Sequence, residues 1–129
     1  MQPMSRGRFA AAGLELAGCI YICGGGDDQL VRASAERFDL QRGCWESLPE
    51  MSTGRFGAAG GAVLGRAQLA GGGDDDLKSA EQFDPKTETW EALPPMLVAR
   101  SRATGGATRG CLYVCGGWFG GEMLPSAER

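Results

Sequence analysis

The chain has 129 residues, a formal net charge of −3, 22 glycines and no histidine. Its length suits a single domain. The acidic balance predicts no nucleic-acid partner, because phosphate binding depends on clustered Lys and Arg. No apolar run approaches the roughly 18 residues that a membrane span needs, so we expect no membrane partner. The excess of glycine disfavours long helices and favours short strands joined by tight turns.

Three sequence features recur in three copies, and two more recur in the first two copies, at offsets of 45 or 47 residues. Each copy has an arginine, a diglycine and a Ser-Ala-Glu tripeptide, and the first two copies continue with a phenylalanine and a tryptophan. The arginines are Arg8, Arg55 and Arg100, the diglycines begin at Gly24, Gly71 and Gly116, the tripeptides begin at Ser34, Ser79 and Ser126, and the rings are Phe38, Phe83, Trp45 and Trp90. The copies differ in length between the diglycine and Ser-Ala-Glu, which marks a surface loop there.

In chain order, the first copy predicts four short strands separated by turn signals, at about Arg8–Leu16, Cys19–Cys23, Ser34–Asp39 and Cys44–Ser47. The second copy repeats this pattern, and the third supplies three strands. A four-stranded unit cannot bury both of its faces alone, so it must stack on its neighbours. This requirement favours a propeller. We expect residues 1–48 and 49–93 to form two complete blades and residues 94–129 an incomplete one.

The recurring features resemble the kelch repeat, and the resemblance covers the whole chain. It is carried by the diglycine, by Phe38-Asp39 and Phe83-Asp84, by the Trp seven residues after each Phe, and by the Pro-x-Met that leads to Arg. The kelch pattern usually has Tyr at the two Phe positions. The resemblance implies an all-β fold, namely a partial kelch-type β-propeller with four-stranded antiparallel blades (4+4+3 strands).

The glycines that end a strand leave space above the backbone and accept positive φ. We therefore expect the ring of Trp45 or Trp90 to close against a diglycine. Propellers close a ring of about four to eight blades. Three blades therefore predict further blades in cis or self-association, including two arcs paired into a six-bladed ring.

The recurring arginines and serines are candidate partner-binding residues. In kelch proteins that bind peptides these positions line one mouth of the central channel, so the resemblance implies a binding role for Arg8, Arg55, Arg100, Ser34, Ser79 and Ser126. Guanidinium groups offer paired donors to carboxylates, which suits a protein or acidic peptide motif as the partner. The alternative is that each Arg pairs with the Glu of Ser-Ala-Glu (Glu36, Glu81 or Glu128) and pins neighbouring blades. Recurrence in every copy favours this structural role, and both roles can coexist.

Trp118 and Phe119 follow the third diglycine and lie in a Gly-rich loop. Two large rings in such a loop suit contact anchors for a partner. The alternative is that they fold back on the blade surface.

Metal ligands are not expected. Cys19 and Cys23, like Cys111 and Cys115, are four residues apart; on a strand that spacing spans about 13 Å, too far to share one zinc. Asp27-Asp28 and Asp74-Asp75-Asp76 lack the alternating ligands of a calcium loop and predict solvated acidic turns. We expect no cofactor, and five free thiols in a reducing, cytoplasmic compartment.

The sequence therefore favours a protein-binding kelch module, with the substrate-recognition part of a ubiquitin-ligase adaptor as its more specific form. The absence of histidine removes the commonest general base, so we do not expect an enzyme. The alternative is a fragment of a kelch-type enzyme, galactose oxidase-like or sialic acid mutarotase-like, with its active residues outside this stretch. A weaker third interpretation is an actin- or scaffold-binding protein.

Overall fold

The computed structural model describes residues 2–73 and 77–129, and the regular elements in this part of the chain are β-strands. No helix that could span a membrane occurs among these residues. The strands are β1 (Ala12–Leu16), β2 (Cys19–Cys23), β3 (Ala35–Asp39), β4 (Cys44–Leu48), β5 (Ala59–Val63), β6 (Arg66–Ala70), β7 (Ala80–Asp84), β8 (Thr89–Leu93), β9 (Thr104–Thr108), β10 (Cys111–Cys115), β11 (Trp118–Phe119), β12 (Glu122–Met123) and β13 (Ala127–Glu128).

The strands form three antiparallel sheets that we call blades 1, 2 and 3. Their strand orders are β1-β2-β3-β4, β5-β6-β7-β8 and β13-β10-β9, which confirms the predicted all-β fold with 4+4+3 strands. Strands β11 and β12 form a separate hairpin, which the sequence does not predict. The first turn of each blade has two residues of positive φ, the geometry that matches the twist of paired strands; these pairs are Ala17-Gly18, Leu64-Gly65 and Arg109-Gly110.

The blades stack with their first strands, β1, β5 and β9, next to one another. Tyr21 and Leu48 of blade 1 meet Leu69 and Phe83 of blade 2 in a buried core. The Phe83 side chain is fully buried, and its ring centre lies 6.2 Å from that of Tyr21. Stacking therefore supplies the burial that a lone blade lacks.

The first strand begins later than the sequence predicts. Strand β1 starts at Ala12 rather than Arg8, because the backbone turns at Ala10, whose φ is 50°. Gly57 and Arg102 stand at the equivalent positions and have φ of 65° and 53°. The recurring arginines therefore lie before the first strands of their blades, and Arg55 and Arg100 lie in the segments that connect one blade to the next.

Each of the first two diglycines contacts the backbone of the next blade rather than a tryptophan. A Cβ on Gly24 would lie 2.3 Å from the carbonyl oxygen of Arg55, and the Gly25 N–H donates to that same oxygen at 2.7 Å. The expected closure of Trp45 on these glycines is wrong. Trp45 pairs in register with Phe38, whose partner on β2 is Ile20, about 13 Å along the strand from Gly24.

The tryptophans instead pack on the phenylalanines of their own blades. The ring centres of Trp45 and Phe38 are 5.2 Å apart, as are those of Trp90 and Phe83. The indole N–H of Trp90 donates to the Pro49 carbonyl at 2.8 Å. The outermost strand of blade 2 is thereby tied to the segment that connects blades 1 and 2.

Two alanine variants test how closely the Arg55 carbonyl approaches Gly24. Gly24 and Gly43 have φ of 68° and 67°, so either alanine incurs the left-handed penalty of about 1–2 kcal/mol. A Cβ on Gly43 has no atom within 4 Å, so Gly43→Ala should lose only that amount. Gly24→Ala must also displace the Arg55 carbonyl and should lose clearly more, as measured by the urea midpoint of unfolding. Equal losses would contradict the close approach.

Candidate functional site

Arg55 clamps both ends of the loop that follows its diglycine. Its side chain is only 1% exposed. Nη1 donates to the carbonyls of Gly71 at 2.8 Å and Ser79 at 2.9 Å. Nη2 donates to the Ser79 hydroxyl at 3.1 Å, and Nε donates to Glu81 at 2.9 Å. A buried guanidinium needs such a full set of acceptors, because an unpaired buried charge is strongly destabilising.

Arg100 repeats this arrangement in blade 3. It donates to the Gly116 carbonyl at 2.8 Å, to the Ser126 hydroxyl at 2.7 Å and to Glu128 at 3.1 Å. Its side chain is 0% exposed. The same set of hydrogen-bond acceptors thus surrounds the buried arginine of the next blade.

Arg8 forms the equivalent contacts with a different orientation. Nη1 donates to the carbonyls of Gly24 and Ser34, and Nη2 donates to Glu36 at 2.6 Å. The Arg8 Nε and the Ser34 hydroxyl have no hydrogen-bond partner in the described part of the chain. The arrangement in blade 1 is therefore the least completely satisfied of the three.

The backbones of Arg55 and Arg100 join adjacent blades. The Gly25 N–H donates to the Arg55 carbonyl, and the Arg55 N–H donates to the Arg32 carbonyl at 3.0 Å. The Gly72 N–H donates to the Arg100 carbonyl in the same way, at 2.7 Å. We call each recurring Arg, with its diglycine, serine and glutamate contacts, a blade joint.

The Arg–Glu pairing that the sequence offers as an alternative is present in all three copies. The hydroxyls of Ser79 and Ser126 face these arginines and accept hydrogen bonds from them. Direct contact of the six recurring Arg and Ser residues with a partner stays a prediction.

The carboxylates of the joints in blades 1 and 3, Glu36 and Glu128, are held in the charged form. Burial disfavours the ionised state of Glu36 and Glu128, yet hydrogen bonds outweigh it and lower the pKa of both. For Glu36 the donors are the Ser5 N–H and Arg8. For Glu128 they are the backbone of residues 97–98 and Arg100.

Two partly exposed rings lie beside the joints. Phe9 and Phe56 each directly follow a joint arginine, and their ring centres are 5.1 Å apart in an edge-to-face contact. The Arg102 guanidinium lies 5.8 Å from the centre of the Phe56 ring. Sequence reasoning missed these three residues, although Arg-Phe occurs at the same place in the first two copies.

Trp118 and Phe119 lie in blade 3, next in the backbone pairing to the segment that carries Arg102. They form β11 of the short hairpin, and Trp118 exchanges backbone hydrogen bonds of 3.0 and 2.8 Å with Ser101, the residue before Arg102. The two side chains remain 39% and 46% exposed, and Phe9 is 53% exposed. We call Phe9, Phe56, Arg102, Trp118 and Phe119 the aromatic edge.

The acidic and cysteine motifs show no metal-binding arrangement among the described residues. Asp27 accepts hydrogen bonds from the backbone N–H groups of Gln29 and Leu30 and pairs with Arg32. Residues Asp74, Asp75 and Asp76 lie outside the described residues. Cys19 and Cys23 lie on β2, and Cys111 and Cys115 lie on β10, all as free thiols. Burial raises the pKa of Cys23 to about 12.

Comparison with known proteins agrees with this repeat structure. The family model described as the Kelch motif matches residues 7–52 and 55–97, which together make up more than half of the chain. The chain belongs to the kelch-repeat family. No curated protein matches this kelch chain.

Solved structures also match the fold of this kelch chain. It is similar to the structure titled "Structure of YjhT", with a TM-score of 0.86 and 14% sequence identity. The match covers 98% of this chain and 43% of that chain, so this chain spans less than half the length of that structure. At this identity the likeness shows the fold alone.

The blade joints of the kelch chain should dominate its stability. Arg55→Ala leaves the buried Glu81 carboxylate without a cation, with Ser52 as its remaining hydrogen-bond donor, so we expect a loss of about 3–5 kcal/mol in the free energy of unfolding. Arg42→Ala is the matched control, because Arg42 also pairs with a glutamate, Glu46, but is 64% exposed. That variant should lose no more than about 1 kcal/mol. Urea denaturation measures both, and comparable losses would argue against the joint.

The lowered pKa values of Glu36 and Glu128 also predict acid sensitivity. A carboxyl whose pKa is lowered by folding stabilises the protein above its ordinary pKa, 4.5 for Glu, and this stabilisation is lost as the pH falls through the lowered value. The urea midpoint should therefore fall below about pH 4.5. Glu128→Gln should reduce this pH dependence, whereas Gln at the exposed Glu122 should leave it unchanged. A midpoint that is flat in acid would refute the expectation.

Proposed function

We propose that this kelch chain is a protein-binding module that holds its partner on the aromatic edge. One observation carries the proposal: large rings that stay half exposed are carried on backbone segments fixed by the blade joints. Protein interfaces concentrate their binding energy in a few aromatic and arginine side chains of this kind. Backbone fixed beforehand lowers the ordering cost of association.

The charge of the aromatic edge supports an acidic peptide motif as the partner. Arg102 is exposed, and its guanidinium lies over the Phe56 ring, so one group offers donors to a carboxylate beside an apolar surface. The buried arginines of the joints hold this surface in place. A role of Arg8, Arg55, Arg100, Ser79 and Ser126 in direct contact would require their internal hydrogen bonds to open. The Ser34 hydroxyl has no such bond in the described part of the chain.

The finer role that we propose is substrate recognition in a cytoplasmic ubiquitin-ligase adaptor, without catalysis by this stretch. The free state of all five cysteines supports a reducing compartment. Membership of the kelch family supports a binding role. The choice of ligase as the assembly rests on the resemblance alone.

Peptide arrays test the binding surface. Purified protein is applied to immobilised Glu/Asp-rich peptides, with Lys/Arg-rich peptides of equal length as the reference. The double variant Trp118→Ala and Phe119→Ala should weaken capture by about tenfold or more. Leu64→Ala is the control, because Leu64 is exposed in the β5–β6 turn, away from the aromatic edge.

Charge recognition is tested on the same array with Arg102→Gln, which should weaken capture of acidic peptides and reduce its dependence on salt. Capture by the double variant equal to that of the wild type would overturn the aromatic edge as the binding surface. Undiminished, salt-independent capture by Arg102→Gln would overturn the acidic motif but not the surface.

A further inference from the structure

Ser52 connects an exposed position of the chain to the buried carboxylate of a blade joint. The residue itself is exposed, whereas Glu81 is only 1% exposed. The Ser52 hydroxyl donates to Oε2 of Glu81 at 3.0 Å, and the Ser52 backbone N–H donates to the same oxygen at 3.0 Å. The other carboxylate oxygen accepts from Arg55. Glu81 is therefore held between a buried guanidinium and a serine at the surface.

The surroundings of Ser52 make its hydroxyl reachable from solvent. Ser52 lies between β4 and β5, where the structure describes residues 49–58 and assigns them no regular secondary structure. The preceding residue, Met51, is buried and anchors this segment to the core. Blades 1 and 2, which flank the segment, each have all four strands. An enzyme can therefore reach the hydroxyl without opening a strand.

A phosphoryl group on Ser52 would reverse the electrostatics of this contact. In transfer from a nucleoside triphosphate by a protein kinase, a bond forms between Ser52 Oγ and the γ-phosphorus. The bond from that phosphorus to the bridging oxygen of the nucleoside diphosphate breaks, and the hydroxyl proton passes to solvent. The product carries a charge of about −1.5 to −2 at pH 7. Two anions then meet where the serine had donated a hydrogen bond.

We propose that Ser52 is a phosphorylation site that opens the blade joint of Arg55. The phosphate repels the Glu81 carboxylate and competes with it for the Arg55 guanidinium, since phosphate oxygens are strong acceptors for arginine. Separation of the Arg55–Glu81 pair leaves a buried charge without its partner, which is strongly destabilising. Phe56 directly follows Arg55, so an open joint also frees the backbone that carries one ring of the aromatic edge.

The switch is specific to one joint. In blade 3 the residue equivalent to Ser52 is Leu97, whose backbone N–H donates to Glu128 at 2.6 Å. A leucine has no hydroxyl to accept a phosphoryl group. Modification of Ser52 therefore acts on the contact between blades 1 and 2 and leaves the joint of Arg100 intact.

Phosphoserine introduced at position 52 during translation tests the effect of the modification. Unfolding in urea should show an equilibrium constant of unfolding raised by about tenfold or more relative to the unmodified chain, because like charges meet in a partly buried site. Phosphoserine in place of Thr108, which is exposed on β9, is the control and should leave the urea midpoint unchanged. A midpoint that is unchanged or higher with phosphoserine at position 52 would overturn the proposal.

A matched pair of variants isolates the charge. Ser52→Glu and Ser52→Gln add side chains of nearly equal size, so a lower urea midpoint of Ser52→Glu reports repulsion from Glu81. The difference should shrink as salt is raised and should vanish in a Glu81→Gln background. If Glu81→Gln does not fold, the salt dependence alone decides. Equal midpoints of the two variants at low salt would contradict the electrostatic switch.

Kinase reactions test Ser52 as the acceptor. The purified chain is incubated with ATP and each of a set of purified serine/threonine kinases, and mass spectrometry maps the phosphate. Phosphate should appear at Ser52 and be absent from Ser52→Ala. Phosphate on other residues but never on Ser52 would reject the site. The inference does not depend on partner binding at the aromatic edge, because urea unfolding and phosphate mapping report on the joint directly.

Discussion

The structure depends on burying one arginine per blade. A guanidinium removed from water is stable only when its donors meet acceptors. Arg55 meets this condition by gathering two carbonyls, a hydroxyl and a carboxylate from the segments that flank one loop. Its own carbonyl then binds the diglycine of the preceding blade, which must lack a side chain at Gly24. A single residue thereby fixes the loop of its own blade and the distance to its neighbour.

Sequence periodicity was sufficient to predict the sheets because each blade repeats the same pattern of turns, strand residues and rings. It also indicated the Arg–Glu pairs, since opposite charges recurred in register. Periodicity did not predict features that depend on how strands pair and turn in three dimensions. Trp45 pairs with Phe38 rather than with the glycines, and the turn at Ala10 separates Arg8 from β1. Trp118 and Phe119 were named from the sequence, but Phe9, Phe56 and Arg102 were missed because they meet only after three blades are stacked.

The aromatic edge consists of rings that the fold leaves partly in water, so a partner gains energy by covering them. The edge selects a partner by the side chains that it offers.

The contacts of Arg55 also separate the base of the loop, which must stay constant, from the loop tip, which can vary. Its Nη1 binds a carbonyl on each side of the loop between the diglycine and Ser-Ala-Glu, so the loop is closed at its base whatever lies between. The loops accordingly vary in length: residues 26–33 and 118–125 make up eight residues each, and residues 73–78 make up six. Insertions and new side chains can therefore accumulate at the loop tips without disturbing the contact between blades, which lets one scaffold acquire different recognition specificities.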